Sequence, residues 1–142
     1  MVDKTYKIFT DGGSRGNPGP ASCGAVVFQG LEKKADLAKF LGEMTNNQAE
    51  YHGVLLALDW LEKNKVKNAS IKFNLDSKLV VEQLSGNYKL KNEGLKTLFW
   101  QIREKIISLG LTINFKHIPR EKNIEADRLV NEALDLLNKK KL

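Results

Sequence analysis

FTDGGSRGNPGPASCGAVV, residues Phe9–Val27, frames the reading of the whole chain. A β-rich run, Tyr6 to Thr10, leads into Asp11, and Ser22 to Gln29 reads as a second strand. Between them, Asp11 to Pro20 holds four glycines and two prolines in ten residues, too many for regular structure to continue. Two strands joined through such a turn pair antiparallel. Lys34 to Leu41 mixes polar and apolar residues and fits either a third strand of this meander or a short helix.

Further along, the hydrophobic period changes from two to about 3.6. Thr45 and Gln48 fit a capping box, and Asn47 and Glu50 fit a looser one. Val54, Leu58 and Leu61 then repeat at helical spacing, which predicts a helix over Thr45 to Lys65. Ser70 to Leu75 is a strand ended by Asp76, and Ser77 to Leu84 is a short helix stopped near Gly86. Gly94 to Leu109 is a helix ended by Gly110, with Phe99 and Trp100 expected in its core and His52 on the surface. Leu111 to Lys116 is a strand, and Asn123 to Asn138 is a last helix carrying Ala126, Val130, Ala133 and Leu137 on one face. The tail NKKKL is expected to fray. The order is β-β-β-α-β-α-α-β-α. Hairpin-joined strands pair antiparallel and helix-joined strands parallel. The expected fold is therefore α/β, a mixed five-stranded sheet flanked by helices on both faces, in one domain over 1–142.

Composition narrows the classes of function. A chain of 142 residues suits one domain with a sizeable core. The one cysteine, Cys23, excludes an internal disulfide and fits a reducing compartment. MVDKTYKIF is too charged for a signal peptide, and no stretch is apolar enough to span a membrane, so a cytoplasmic location without membrane partners is expected. The net charge of +6 favours a polyanionic partner such as nucleic acid.

Asp11 and Asp76 each stand where an apolar run gives way to a turn. Ligands of open α/β sheets bind outside the carboxyl ends of parallel strands. The two carboxylates converge there if their strands are parallel neighbours. Aspartate also ends strands merely because it favours turns. Glu50 lies one turn before Val54 on the apolar stripe, and Asp127 one turn before Val130. Both point towards the sheet, and both also suit the positive end of a helix dipole. Four acids approaching one point repel and cannot all stay ionised without compensation. Hard divalent cations provide it, since Mg²⁺ takes about six oxygens and usually keeps waters or phosphates in its shell. No His or Cys cluster offers a competing zinc site. Carboxylates on a basic chain point to metal-assisted phosphodiester chemistry.

Four segments carry a family likeness: FTDGGSRGNPGPASCGAVV, TNNQAEYHGVLLAL (Thr45–Leu58), LDSKLVVEQL (Leu75–Leu84) and HIPREKNIEADRLVNEAL (His117–Leu134). In this order, from Tyr6 to about Leu137, the chain resembles type 1 ribonuclease H. The resemblance implies a sheet of three antiparallel strands plus two parallel to the first. It makes Asp11, Glu50, Asp76 and Asp127 the metal-binding carboxylates, holding two Mg²⁺ ions for which Mn²⁺ substitutes, roughly 3.5–4 Å apart. The implied reaction is endonucleolytic cleavage of the RNA strand of an RNA–DNA hybrid, leaving 5′-phosphate and 3′-hydroxyl ends, by a monomer.

The same resemblance places recognition of the RNA 2′-hydroxyls at Gly13, Ser14, Gly16 and Asn17 and at Asn46 and Gln48, while Asn17 and Thr45 match positions that hold a DNA-strand phosphate. His117 stands ten residues before Asp127, where family members carry a mobile histidine that assists proton transfer or product release. Here it directly precedes Ile118-Pro119, and Arg120 is the other candidate in this loop. The span Asn87–Trp100 is too short for the basic insertion of some members, which leaves Tyr88, Lys89 and Lys91 as a smaller platform. No N-terminal hybrid-binding domain is expected, as in the shorter archaeal and bacterial members. Three other readings use the same residues: cleavage of double-stranded RNA or RNA–DNA junctions, a catalytically dead binding module, and a small-molecule phosphatase.

Overall fold

A computed structural model describes residues 4–141, except for the side chains of 138–141. The reading of the lysine-rich tail concerns those side chains, and part of the reading of the N-terminus concerns residues 1–3; both lie outside the described residues. The first strand, β1 (Lys4–Ser14), pairs antiparallel with β2 (Gly19–Gln29), and β2 pairs antiparallel with β3 (Glu32–Met44). Strand β4 (Ala69–Leu75) lies parallel to β1, and β5 (Thr112–His117) parallel to β4. The sheet order is β3-β2-β1-β4-β5, the expected mixed arrangement. The helices are α1 (Asn46–Lys63), α2 (Lys78–Leu84), α3 (Glu93–Leu109) and α4 (Ile124–Lys141).

Local chemistry explains the helix starts. Thr45 accepts from the Gln48 N–H and Gln48 reaches back to the Thr45 N–H, the predicted capping box. Ser77 and Asn92 cap α2 and α3 through their side-chain oxygens. The backbone of α4 stays helical to Lys141, past the expected end at Asn138.

The two faces of the sheet are covered unequally. Tyr6, Ile8, Ile71, Phe73 and Leu75 pack with Tyr51, Val54, Leu58 and Leu61 of α1, with α2 and α3 completing that layer. On the opposite face α4 is the cover, through Ala126 and Leu129 against Val26, with Phe9 and Phe28 beside them. The period-2 alternation of β1, Ile8 to one side and Phe9 to the other, feeds both layers.

Two expectations are corrected. Strand β1 does not end at Thr10; Asp11 to Ser14 remain paired with β2, Asp11 opposite Gly24 and Ser14 opposite Ala21, and the bend begins at Arg15. Gly12, read as part of a strand-breaking turn, instead permits close packing, as does Gly53 of α1: a Cβ on Gly12 would lie 2.2 Å from the Ala49 carbonyl, and one on Gly53 2.8 Å from the Asp11 carbonyl oxygen. Helix α1 therefore crosses β1 backbone against backbone. Trp100, expected in the core, is 61% exposed. Leu95 and Ile102 define the buried stripe of α3, and Trp100 falls off it, resting edge-on against the half-buried Phe99 at 5.4 Å.

Candidate active site

Parallel pairing of β1 with β4 ends at Phe9 opposite Asn74. Asp11 and Asp76 each follow two residues beyond that last pair, so both emerge where the strands part. Glu50 arrives from α1, and the bare Gly12 is what lets that helix come close enough. Asp11, Glu50 and Asp76 each offer an oxygen, and the three oxygens lie within 4.8 Å of one another. Asp127, in the first turn of α4, lies outside that tight group but lines the same cleft of about 500 Å³. It is close enough for its charge to act on Asp11.

The electrostatics follow from burial and crowding. Asp11 and Glu50 are each only 7% exposed. Burial is the main cause that pushes the Asp11 carboxyl up to about 7, aided by the charges of Asp76 and Asp127; the hydrogen bonds to Glu50 and from the Gly12 N–H oppose it. Burial and then the Asp11 charge push Glu50 well above the ordinary carboxylate range. Glu50 Oε2 is buried without a hydrogen-bond partner among the described residues. An unpartnered carboxylate oxygen, two destabilised anions and an all-oxygen donor set fit a hard divalent cation. A cation would supply the missing partner and reverse both shifts.

The residues expected to read nucleic acid also meet here. Gly13, Ser14 and Asn46 line the cleft, and exposed Gly16 and Asn17 form its adjoining turn. The Ser14 N–H donates to Asn46 Oδ1 at 2.9 Å, and the Asn46 N–H donates to Asn17 Oδ1 at 3.0 Å. Ser14 Oγ also donates to the Gly16 carbonyl. The turn and the start of α1 are thus bonded into one rim. Thr45 and Gln48 sit in the capping box beside it. Tyr88 is exposed in the segment between α2 and α3, with Lys89 and Lys91, and is not among the cleft residues.

His117 ends β5 opposite Leu75 and is exposed, and it does not line the cleft, whereas Arg120 does. His52 is half-buried, not a surface residue; it lines a separate groove of about 460 Å³ between α1 and α3. Burial and Lys39 push its pKa down.

Sequence reasoning assigned no role to three residues. Arg15 lines the cleft and pairs with Asp135 at 2.6 Å, tying the turn to α4. Ser77 lines the cleft while capping α2. Asn123 donates to Asp76 Oδ2 at 3.0 Å. Its only sequence signal is its place four residues before Asp127.

Comparison with known proteins gives a consistent family. A family described as reverse transcriptase-like matches residues 9–133. A ribonuclease H of Pseudomonas savastanoi is 30% identical over 151 aligned positions, covering 94% of this chain and 95% of that protein. A bifunctional protein of Mycobacterium tuberculosis is 44% identical over 130 positions, covering 90% of this chain; the chain spans 35% of that relative's length. Among solved structures, LC11-RNase H1 in complex with an RNA/DNA hybrid superposes with a TM-score of 0.89 at 40% identity, covering 93% of this chain and 98% of that one.

Proposed function

The chain belongs to the ribonuclease H family, and from that premise we propose that it hydrolyses the RNA strand of RNA–DNA hybrids as a metal-dependent endonuclease, leaving 5′-phosphate and 3′-hydroxyl ends. The observation that carries this reading is the convergence of Asp11, Glu50 and Asp76 within 4.8 Å in a cleft rimmed by Ser14 and Asn46. These three acids, with Asp127 facing the same cleft, would hold two Mg²⁺ ions, and Mn²⁺ would substitute. When bound, such ions stabilise charge at the phosphate and make a water acidic enough to attack near neutral pH.

The chain's own residues supply position and selectivity. Asn46 and Asn17 each spend the side-chain carbonyl on a bond within the rim, which leaves their NH₂ groups as donors. Sugar hydroxyls and phosphate oxygens accept from such donors, and the 2′-hydroxyl is the group DNA lacks. Helix α1 crossing β1 at Gly12 fixes that rim relative to the carboxylates. Arg120 adds a guanidinium to the wall of the cleft, suited to a phosphate oxygen.

The test offers end-labelled hybrid, duplex RNA, single-stranded RNA and a DNA duplex holding one ribonucleotide, each with Mg²⁺, Mn²⁺ or a chelator. Cleavage of the hybrid's RNA strand that the chelator abolishes, with ends a polymerase can extend, is the expected result. Faster cutting of duplex RNA or of the single-ribonucleotide junction would reassign the substrate. Binding of hybrid without any metal-dependent cleavage would identify a binding module.

A further inference from the structure

Asn123 is 1% exposed and immediately precedes α4. Its Nδ2 donates to two groups at once, the Thr10 carbonyl at 2.9 Å and Asp76 Oδ2 at 3.0 Å. A carbonyl and a carboxylate can only accept, so the amide orientation is forced: the reverse one would set oxygen against oxygen twice. The backbone of Asn123 is engaged as well. Its carbonyl accepts from the Asp127 N–H at 3.1 Å, and its N–H donates to the Arg120 carbonyl at 2.9 Å. One residue therefore touches β1 one position before Asp11, the Asp76 carboxylate itself, and the turn that carries Asp127.

Its location explains why a donor is needed. Parallel pairing of β1 and β4 stops at Phe9, so the next carbonyl, that of Thr10, has lost its strand neighbour. The Asn123 amide fills that place. Yet Asn123 Oδ1 is buried with no hydrogen-bond partner among the described residues. A leucine, branched at the same carbon, would leave no Oδ1 stranded but would take the donor from the Thr10 carbonyl and from Asp76. Packing alone therefore does not call for an amide here; the NH₂ donor does.

We propose that Asn123 is a positioning residue of the carboxylate cluster. Its NH₂ group fixes the plane of the Asp76 carboxylate, leaving the second oxygen for a cation, and pins the start of α4 to β1 so that Asp127 faces the same point. This rests on the reading of Asp11, Glu50, Asp76 and Asp127 as the cation-holding set. Side chains that hold a metal-binding carboxylate in place typically contribute roughly 10- to 100-fold to cation affinity or turnover.

The test compares wild type with Asn123→Leu, which keeps the branched shape and removes the donor, and Asn123→Ala, which removes both. Mn²⁺ binding to each folded protein is titrated by calorimetry without nucleic acid, and hybrid cleavage is measured separately. For both variants the Mn²⁺ dissociation constant is expected to rise roughly 10-fold or more and kcat to fall by a similar factor, with KM for hybrid within about twofold. The Leu variant, whose Thr10 carbonyl loses its donor, is expected to melt roughly 3–10 °C below wild type without metal and to remain folded at the assay temperature. A lowered melting temperature with wild-type Mn²⁺ affinity and kcat in the folded variants would make Asn123 a packing residue and overturn the proposal. Absence of Mn²⁺ binding by the wild type would instead overturn the cation reading of the cluster, and this proposal with it.

Discussion

Replacing Asp11 by asparagine removes the charge at the centre of the cluster while keeping the side chain's size. The carboxyl stands at about 7 against the usual 3.8, with burial as the main cause. Proton linkage fixes the sign. A carboxyl whose folded pKa is raised favours the native state below about 4 and loses that contribution as pH climbs through about 7. At pH 8 the metal-free protein thus carries a strained anion, at an upper limit of about 4 kcal/mol. Glu50 shares the protons of this pair, so about half, ~2 kcal/mol, is the expected gain for Asp11→Asn. For a domain of this size ~2 kcal/mol corresponds to ~6 °C in melting temperature. The assay is thermal denaturation of both proteins with a chelator at pH 4.5 and pH 8. Asp11→Asn is expected to melt higher at pH 8 and close to wild type at pH 4.5. Adding Mg²⁺ is expected to raise the melting temperature of wild type much more than that of the variant, and the variant is expected to lose hybrid cleavage. A variant that melts lower than wild type at pH 8 without metal, or that keeps wild-type turnover, would refute the account of Asp11 as a strained anion awaiting a cation.

Arg120→Ala is expected to lower kcat by roughly 10- to 100-fold in single-turnover cleavage, while His117→Ala stays within about threefold, because Arg120 and not His117 lines the cleft. Gly12→Ala places a Cβ 2.2 Å from the Ala49 carbonyl, so α1 must move; a loss of ~3 kcal/mol in urea denaturation is expected, together with reduced cleavage as Glu50 shifts. Replacing the exposed Lys89 and Lys91 by alanine is expected to raise KM and flatten its salt dependence, at about 0.9 in the log–log slope for each phosphate left without its lysine, with kcat little changed. An unaltered slope in that last titration would place the grip on nucleic acid elsewhere.

Features that depend on local chemistry were legible in the linear chain. The Thr45–Gln48 capping box, the helical stripe of Val54, Leu58 and Leu61, and the Gly110 stop appear in space as their spacing foretold. Each needs only neighbours within a few positions. The mixed pairing of strands also followed, because short turns and helical crossovers leave few alternatives. The carboxylates could be nominated by type and motif, but their meeting could not be deduced from spacing. It depends on α1 crossing β1 at two glycines, where backbone meets backbone between segments far apart in the chain.

Long-range packing also decided where the sequence misled. The glycines after Asp11 look like a turn until the strand opposite and the helix above are known, and only then does Asp11 fall inside β1. Trp100 looks like core until the buried stripe of α3 is fixed by what it packs against. That Arg120 lines the cleft and His117 does not depends on the path of the chain after β5, and the hydrogen bonds of Asn123 depend on the place where β1 and β4 separate. Sequence alone determined most of the elements and the family pattern and nominated the acids, because propensity, capping and motif are short-range. Tertiary structure alone decided which atoms face one another, because that depends on helices and strands brought together from opposite ends of the chain.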